Sequence, residues 1–397
     1  MTVLPVAPAG PRVLVPVRGR VLSGGPATFE QGLLRHLPAA APGWTFVYLG
    51  ARGDPTADEL AAASGAANVR VATTRMRPGV LWDHLAVARW ARRVRADAVF
   101  HAFAGCPAFG RFARVVVLPG SDHLLMPELL DLRTLLRGRV FDHTMLPFAD
   151  RAICLTERHR RDFLARAHFP PQRTAVVPPG VDPLFRPQNP HVARAQVRGR
   201  FGIEGPYFLF VGHLFPNKRI ETALAALARV ARDLPHRLVV AGGRRWKTRD
   251  VRELAAAFGV AERVVAPGPL PRGELPALYA AAEALLVPSF YESFGFVAVE
   301  AMACGCPVIA STGGALPEVV GDAGLLFPVD DVEALASCMR EVAGNPALRE
   351  ELRRRGLARA SRFTWERAAA RVVELIAQAV AERTGTHRPA PARSGVL

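Results

Sequence analysis

Two glutamates in the C-terminal half of the chain, Glu292 and Glu300, lie in surroundings that suit the binding of a phosphorylated ligand. A short apolar run that predicts a buried strand ends at Pro288–Ser289, and Glu292 occupies the turn after it. Ser293 can cap a helix that begins near Gly295. A helix start with free backbone N–H groups and no blocking side chain is an anion site, so phosphate groups are the expected ligand there.

Glu300 lies farther along the same predicted helix, at a polar position among apolar neighbours. A carboxylate at that position can accept two hydroxyl hydrogen bonds, as a ribose diol would offer. The backbone N–H groups of Phe294, Gly295 and Phe296 would then meet the phosphates, and Glu292 would face the sugar hydroxyls. Together these residues predict a site for a sugar nucleotide, whereas two isolated glutamates with this spacing would indicate only solvated or capping side chains.

The elements that must position these residues are short apolar runs separated by helical patterns, which is typical of parallel sheets covered on both faces. The pattern predicts strands at Pro11–Val17, Trp44–Leu49, Ala98–His101, Arg114–Leu118, Asp150–Leu155, Thr174–Val177, Tyr207–Val211, Arg237–Ala241, Arg263–Ala266, Ala284–Val287, Pro307–Ala310 and Gly324–Phe327. Ligands of such sheets bind beyond the carboxyl ends of the strands. We therefore predict an α/β protein with two Rossmann-like, doubly wound domains that face a cleft.

Changes in composition along the chain predict its division into domains. An N-terminal domain over residues 1–185 is followed by a polar, Pro-rich linker, 186–205, and by a C-terminal domain over 206–364 that contains the predicted sugar-nucleotide site. The helical pattern of 365–381 predicts a last helix that crosses back, and the polar residues 382–397 predict a disordered tail.

The composition also restricts the partners. Lys and Arg number 51 against 35 Asp and Glu, a formal net charge of +16 at pH 7. No nucleic-acid-binding motif accompanies this charge, so we expect no nucleic acid but a peripheral contact with an anionic membrane. No apolar run approaches the roughly 20 residues of a membrane-spanning helix, and the N-terminus lacks a secretory pattern. The predicted location is the cytoplasm, with association at the cytoplasmic face of a membrane.

The stretch from Leu286 to Asp330 resembles the donor site of glycosyltransferase family 4, the retaining enzymes of the GT-B fold that are also named glycosyl transferases group 1. The family pattern, with its E-x7-E spacing, is matched in place by Glu292, Phe294, Gly295, Glu300, Ala301, Met302, Gly305, Pro307, Val308 and Glu318. Weaker likenesses extend over most of the chain. The resemblance implies a hexosyltransferase that uses a GDP- or UDP-sugar as co-substrate and retains the configuration of the transferred hexose. It implies a glycan, lipid-linked or small-molecule acceptor, and no essential metal or other cofactor.

The resemblance also assigns roles to residues outside this stretch. Lys218 takes the place of the cation that neutralises the donor diphosphate, and with Glu292 it would be catalytic. His213 replaces a frequent Arg of the donor site, and Gly25 belongs to a Gly-Gly loop that approaches the diphosphate or the acceptor. Leu270 belongs to the loop that meets the nucleotide base.

Two departures from the family pattern leave alternatives open. Pro119 stands where the family often has a His that touches the donor sugar, and His213 lacks the permanent charge of an Arg. The missing His contact could be replaced by Asp122, His123 or His101. The missing Arg charge could be replaced by Arg219, Arg244 or Arg245. A non-catalytic sugar-nucleotide-binding protein and a nucleotide-sugar epimerase therefore remain alternatives. A nicotinamide-dependent oxidoreductase is disfavoured, because the turn Ser23–Pro26 lacks the G-x-G-x-x-G pattern.

Overall fold

The computed structural model of the protein describes residues 10–22, 24–118, 120, 122–243 and 249–385, without the side chains of Val21 and Asp122. Within these residues the chain forms two parallel sheets, which confirms the predicted α/β class. The strands of the first sheet are β1 (Arg12–Pro16), β2 (Thr45–Ala51), β3 (Val69–Thr74), β4 (Ala98–His101), β5 (Ala113–Val117), β6 (Arg151–Cys154) and β7 (Thr174–Val176). The strands of the second are β8 (Tyr207–Val211), β9 (Arg237–Ala241), β10 (Val264–Gly268), β11 (Ala284–Val287), β12 (Val308–Ser311) and β13 (Leu325–Phe327).

The order of the strands places a crevice in each sheet. The first sheet runs β3-β2-β1-β4-β5-β6-β7 and the second β10-β9-β8-β11-β12-β13, with all neighbours parallel. In each sheet the direction of winding reverses beside the first strand, between β1 and β4 and between β8 and β11. In doubly wound sheets this switch point is where ligands bind.

Helices cover the sheets, because strands such as β1 and β5 are apolar on both faces and must be buried on both. The helices are α1 (Gly25–Ala40), α2 (Thr56–Ser64), α3 (Ala88–Arg93), α4 (Asp122–Leu125), α5 (Leu132–Thr144), α6 (Glu157–Leu164), α7 (Pro190–Phe201), α8 (Ile220–Val230), α9 (Val251–Ala257), α10 (Leu275–Ala281), α11 (Phe296–Ala303), α12 (Leu316–Val320), α13 (Val332–Gly344), α14 (Pro346–Ala360) and α15 (Trp365–Thr384). A π-helical segment, Trp82–Val87, continues into α3. None of the helices in the described ranges combines the length and the apolar composition that crossing a membrane requires.

The last helix, α15, crosses back to the N-terminal domain, as predicted. Trp365 at its start packs edge-to-face on Phe29 of α1, with ring centroids 5.9 Å apart. Gly32 makes room for it, since a Cβ on Gly32 would lie 2.2 Å from the Trp365 ring. Near its end, Arg383 Nε donates to Asp150 Oδ2 at 2.8 Å. The helix therefore fastens the C-terminal end of the chain to the first sheet.

Two predicted boundaries differ from the structure. The segment predicted as a linker contains helix α7, because Asn189 accepts hydrogen bonds from two N–H groups of its first turn and buried Ala193 and Val197 share one face. The Pro-rich composition concealed this helix, although Pro190 occupies a position at the helix start that suits proline. Helix α15 ends at Thr384, three residues beyond the predicted end. The rest of the predicted tail, 386–397, lies outside the described residues.

Candidate active site

Lys218 and Glu292 meet because their loops follow the neighbouring strands β8 and β11 at the switch point of the second sheet. Lys218 ends a 3₁₀ turn, Pro216–Lys218, and its Nζ donates to Glu292 Oε1 at 2.5 Å. Ser289 Oγ donates to the same carboxylate oxygen at 2.8 Å. The two side chains expose 26% and 12% of their surface, so both remain open to the cleft. The structure thus joins the two residues predicted to be catalytic into one ion pair.

The presence of lysine at position 218 is itself informative. Lys218 and Lys247 are the two lysines of a chain whose other basic residues are arginines. An ammonium is a compact charge with three donors that can point to different acceptors, whereas a guanidinium is a planar fork. With one donor directed at Glu292, Lys218 has two more for the oxygens of an anionic ligand.

A glycine turn fixes the backbone around Glu292. Gly314 has a φ of +59°, and a Cβ on it would lie 2.3 Å from the Glu292 carbonyl oxygen. That carbonyl accepts a hydrogen bond from Ala315 N–H at 2.8 Å. Ser311 Oγ donates to the Ser289 carbonyl at 2.5 Å and ties the turn to the end of β12. The orientation of Glu292 therefore depends on the absence of a side chain at position 314.

The start of α11 leaves backbone donors open, and its N-cap is Gly295 with no side-chain cap, so Ser293 does not cap the helix as predicted. Gly295 has a φ of +95°, and a Cβ there would lie 2.9 Å from Leu316 Cδ2. Among the described residues, no acceptor is present for the backbone N–H groups of Phe294, Gly295 and Phe296. The side chain of Phe294 is buried against Phe296 and Phe363, with ring centroids 5.0 Å and 5.4 Å away. The predicted donor contact of Phe294 is therefore restricted to its backbone, while its ring packs the helix start in place.

The carboxyl group of Glu300 is buried, with the residue only 5% exposed. It accepts hydrogen bonds from Arg272 Nη2 at 3.1 Å and from Tyr279 Oη at 3.2 Å. Burial raises the pKa of Glu300 from 4.5 to about 7, and the nearby Arg272 guanidinium opposes that rise. A ribose bound at Glu300 would have to share the carboxylate with Arg272 or displace it.

The loop after β10 contains both the predicted Leu270 and a residue that the sequence reasoning missed, Arg272. The half-buried Leu270 side chain packs on the main core, which leaves the backbone of this loop to meet a base. Arg272 joins the two domains, because its Nη1 donates to Thr28 Oγ1 of α1 at 2.7 Å while its Nη2 donates to Glu300. Its guanidinium also lies over the Phe185 ring, 5.1 Å from the centroid. A basic residue two positions after Leu270 was the available signal.

The Gly-Gly loop of the N-terminal domain faces this site across the cleft. A Cβ on Gly25 would lie 3.3 Å from the Phe296 ring, and one on Gly24 would lie 3.7 Å from His213 Cδ2. Gly24 has a φ of +65°, a conformation that residues with side chains rarely adopt. The structure therefore brings Gly25, His213 and the start of α11 together at one point, as a single donor site requires.

Glu318, the third glutamate of the motif, also joins the two domains. Glu318 of α12 accepts hydrogen bonds from the backbone N–H groups of Glu157 and Arg158 at 2.9 Å and 2.8 Å. These groups form the first turn of α6, where a negative charge is favourable. Thr156 Oγ1 donates to the Ser293 carbonyl at 3.0 Å beside them. The two domains are thus in hydrogen-bonded contact next to the start of α11.

The candidates for the missing histidine contact are engaged elsewhere. His101 is buried, with its Nε2 3.2 Å from Asp83 Oδ1, and Arg18 binds both oxygens of the same carboxylate at 2.9 Å and 2.8 Å. Burial lowers the pKa of His101, which favours its neutral form. These contacts give His101 a structural place in the first domain. Pro119 and the side chain of Asp122 lie outside the described residues.

The other candidates have partners of their own. His123 Nε2 lies 2.8 Å from Asp142 Oδ2 of α5. Arg219, expected to supply charge beside His213, has its Nε 3.1 Å from Asp330 Oδ1. Arg244 and Arg245 lie outside the described residues. In the described part of the chain, no group of three His, Cys, Asp or Glu side chains is arranged to hold a metal ion.

Two family models match the chain, one on each sheet. The model described as Glycosyltransferase Family 4 matches residues 23–184, and the model described as Glycosyl transferases group 1 matches residues 195–359.

This chain spans little more than half the length of the curated relatives that it matches. The D-inositol 3-phosphate glycosyltransferase of Acidothermus cellulolyticus is 38% identical over 247 residues, which are 59% of this chain and 54% of that protein. The O-antigen chain mannosyltransferase B of Escherichia coli is 32% identical over 227 residues, 56% of this chain and 59% of that protein.

Solved structures show the same fold. HepE from Anabaena, in complex with UDP and glucose, has a TM-score of 0.68 at 22% identity, and the match covers 93% of this chain and 100% of HepE. Sucrose-phosphate synthase from Thermosynechococcus elongatus has a TM-score of 0.69 at 22% identity over 94% of this chain and 100% of that one. The predicted GT-B fold is confirmed, and with both of its domains matched by family models the chain belongs to glycosyltransferase family 4, glycosyl transferases group 1.

Proposed function

We propose that the chain transfers a hexosyl group from a nucleoside-diphosphate sugar to an acceptor hydroxyl, with retention of configuration and without a metal ion. The observation that carries the proposal is the Lys218–Glu292 pair, set beside the open N–H groups at the start of α11. Lys218 and the helix start together form a positive site for a diphosphate. The structure of HepE with UDP and glucose supports a sugar nucleotide as the donor.

In the proposed reaction the bond between the sugar C1 and the diphosphate oxygen breaks. The acceptor oxygen forms its new bond to C1 on the same face, and the departing phosphate oxygen takes the acceptor's proton. Charge accumulates on the diphosphate as it leaves. A fixed ammonium and fixed backbone donors stabilise such charge without having to reorganise, so the protein's contribution is mainly electrostatic.

Each carboxylate has a separate proposed role. Glu292 accepts from Lys218 and Ser289, so it orients the ammonium and offers its remaining acceptor sites to sugar hydroxyls. Glu300 accepts the ribose hydroxyls. Leu270 and its neighbours lie against the base, and Gly25 and His213 border the diphosphate from both sides of the cleft.

The donor is tested first by binding. Thermal shift and calorimetry with UDP, GDP and their hexose conjugates should identify one nucleotide that stabilises the protein by mass action. Lys218→Ala should weaken binding of the diphosphate more than binding of the nucleoside, because the nucleoside lacks the phosphate charge. Equal loss for both, or no stabilisation by any of these nucleotides, would contradict the donor site.

Turnover distinguishes the transferase from the two alternatives. The preferred sugar nucleotide is incubated with candidate acceptors, beginning with an inositol phosphate because several relatives are named for one. The proton NMR spectrum of the product gives its anomeric configuration, and a chelator tests the need for a metal. Conversion of the donor without any acceptor would indicate an epimerase, and donor binding with no product from any acceptor would favour a non-catalytic binding protein.

A further inference from the structure

Helix α5 directs an apolar stripe outward, away from the protein. Leu132, Leu136 and Val140 recur every fourth residue and are 69%, 49% and 36% exposed. The buried residue of the helix, Phe141, points to the opposite side, since successive residues turn by about 100°. A surface helix of a globular protein normally directs its apolar stripe toward the core. The orientation of α5 is therefore the reverse of the usual one.

Arginines border this stripe. At about 100° per residue, Arg139 lies on one side of the stripe and Arg133 on the other. Both are exposed, and neither has an acidic partner within 4 Å among the residues that the structure describes. The acidic residue of the helix, Asp142, is turned inward and pairs with His123. The outward face of α5 is thus apolar along its middle, except for the exposed His143 in its last turn, and positive along both edges.

A second pair of exposed leucines lies before α3. Leu81 and Leu85, four residues apart at the start of the helix that leads into α3, are 67% and 57% exposed. The first domain therefore exposes leucines on two of its helices.

The charge pattern indicates what this surface binds. A stripe of leucines bordered by arginines matches the interface of an anionic bilayer, where apolar side chains enter the acyl region and arginines extend to the headgroups. The net charge of +16 favours the same partner. We propose that the outward face of α5 docks the protein on an anionic lipid surface. This gives the membrane contact expected from the sequence a defined surface, and it does not depend on the chemistry of transfer.

The location of α5 gives the docking a consequence for the reaction. The helix belongs to the connection between β5 and β6, which leaves the first sheet at the carboxyl end of β5. That edge of the sheet faces the cleft, so we expect a docked bilayer to lie near the N-terminal domain's side of the cleft, where an acceptor would enter.

Co-sedimentation with lipid vesicles tests the proposal. The full chain is mixed with phosphatidylcholine vesicles and with mixed phosphatidylcholine–phosphatidylglycerol vesicles, at about 0.1 M and about 1 M salt, where the Debye lengths are roughly 10 and 3 Å. The chain should bind the mixed vesicles at low salt. Arg133→Gln/Arg139→Gln should lower the partition coefficient by about thirtyfold, from about 1 kcal/mol per arginine near an anionic surface. Leu132→Gln/Leu136→Gln should lower it by about tenfold or more.

A matched control is available elsewhere on the surface. Leu184 and Val192 are exposed apolar residues outside α5, and Leu184→Gln/Val192→Gln should bind vesicles as the unaltered chain does. Stabilisation by nucleotide in vesicle-free solution should be the same for all variants, which separates loss of docking from loss of the donor site.

Three results would overturn the proposal. The first is equal binding of the unaltered chain to neutral and anionic vesicles, or no binding to either. The second is equal loss of binding in the control variant. The third is a dimer in light scattering that the Leu132→Gln/Leu136→Gln variant abolishes, because the stripe would then be an interface between two copies of the chain.

Discussion

Replacing Glu300 by Gln should remove a pH-dependent loss of stability. Burial raises the pKa of Glu300 from 4.5 to about 7 in the folded protein. Between these values the folded state keeps a proton that the unfolded chain releases, so the free energy of unfolding falls as the pH rises from about 4.5 to about 7. At about 1.4 kcal/mol per pKa unit, this loss amounts to about 3 kcal/mol above pH 7. Because Gln cannot ionise, the variant does not lose this free energy of unfolding.

The assay is the melting temperature of both proteins between pH 5 and pH 8. At roughly 2.1 cal/mol/K of unfolding entropy per residue, 3 kcal/mol corresponds to about 4 °C if all 397 residues unfold together. Because part of the loss has already occurred at pH 5, the difference between Glu300→Gln and the unaltered chain should change by about 3 °C in favour of the variant over this range. Glu262→Gln, at an exposed position, is the control and should follow the unaltered chain. Parallel curves for Glu300→Gln would refute the reasoning that burial controls this carboxyl group.

Three further predictions concern the geometry of the cleft. Lys218→Ala should lower the turnover number by about 10²-fold or more while donor affinity falls less, and Lys218→Arg should not restore the turnover number. Steady-state kinetics that show an unchanged turnover number for Lys218→Ala would remove Lys218 from the mechanism. Thr28→Val and Arg272→Leu should be non-additive in a double-mutant cycle of thermal stability, because the two side chains share one hydrogen bond; additive effects would contradict the bridge between the domains. Gly314→Ala should destabilise the fold by more than Gly259→Ala in urea unfolding. Both glycines have positive φ, but only at Gly314 does a Cβ meet backbone, so equal costs would contradict the turn geometry.

Local patterns predicted most of the fold correctly. The apolar runs found the strands of the second sheet, because buried parallel strands are continuous in sequence and short. They missed β3, an edge strand whose Arg70 and Val71 are exposed, since an edge strand is not apolar on both faces. They also missed helix α5 and with it the outward stripe, whose apolar residues are separated by arginines in the sequence.

By itself, the sequence determined the family and the two doubly wound domains, and it predicted the site around Glu292 and Glu300, since each of these depends on residues close together in the chain. Only the tertiary structure decided the partners of these residues. Lys218 is 74 positions from Glu292, and the parallel pairing of β8 with β11 brings them together. Arg272 reaches Thr28 of the other domain, and the burial of Glu300 in the folded protein raises its pKa. Long-range contacts and desolvation are properties of the packed molecule, and no local pattern contains them.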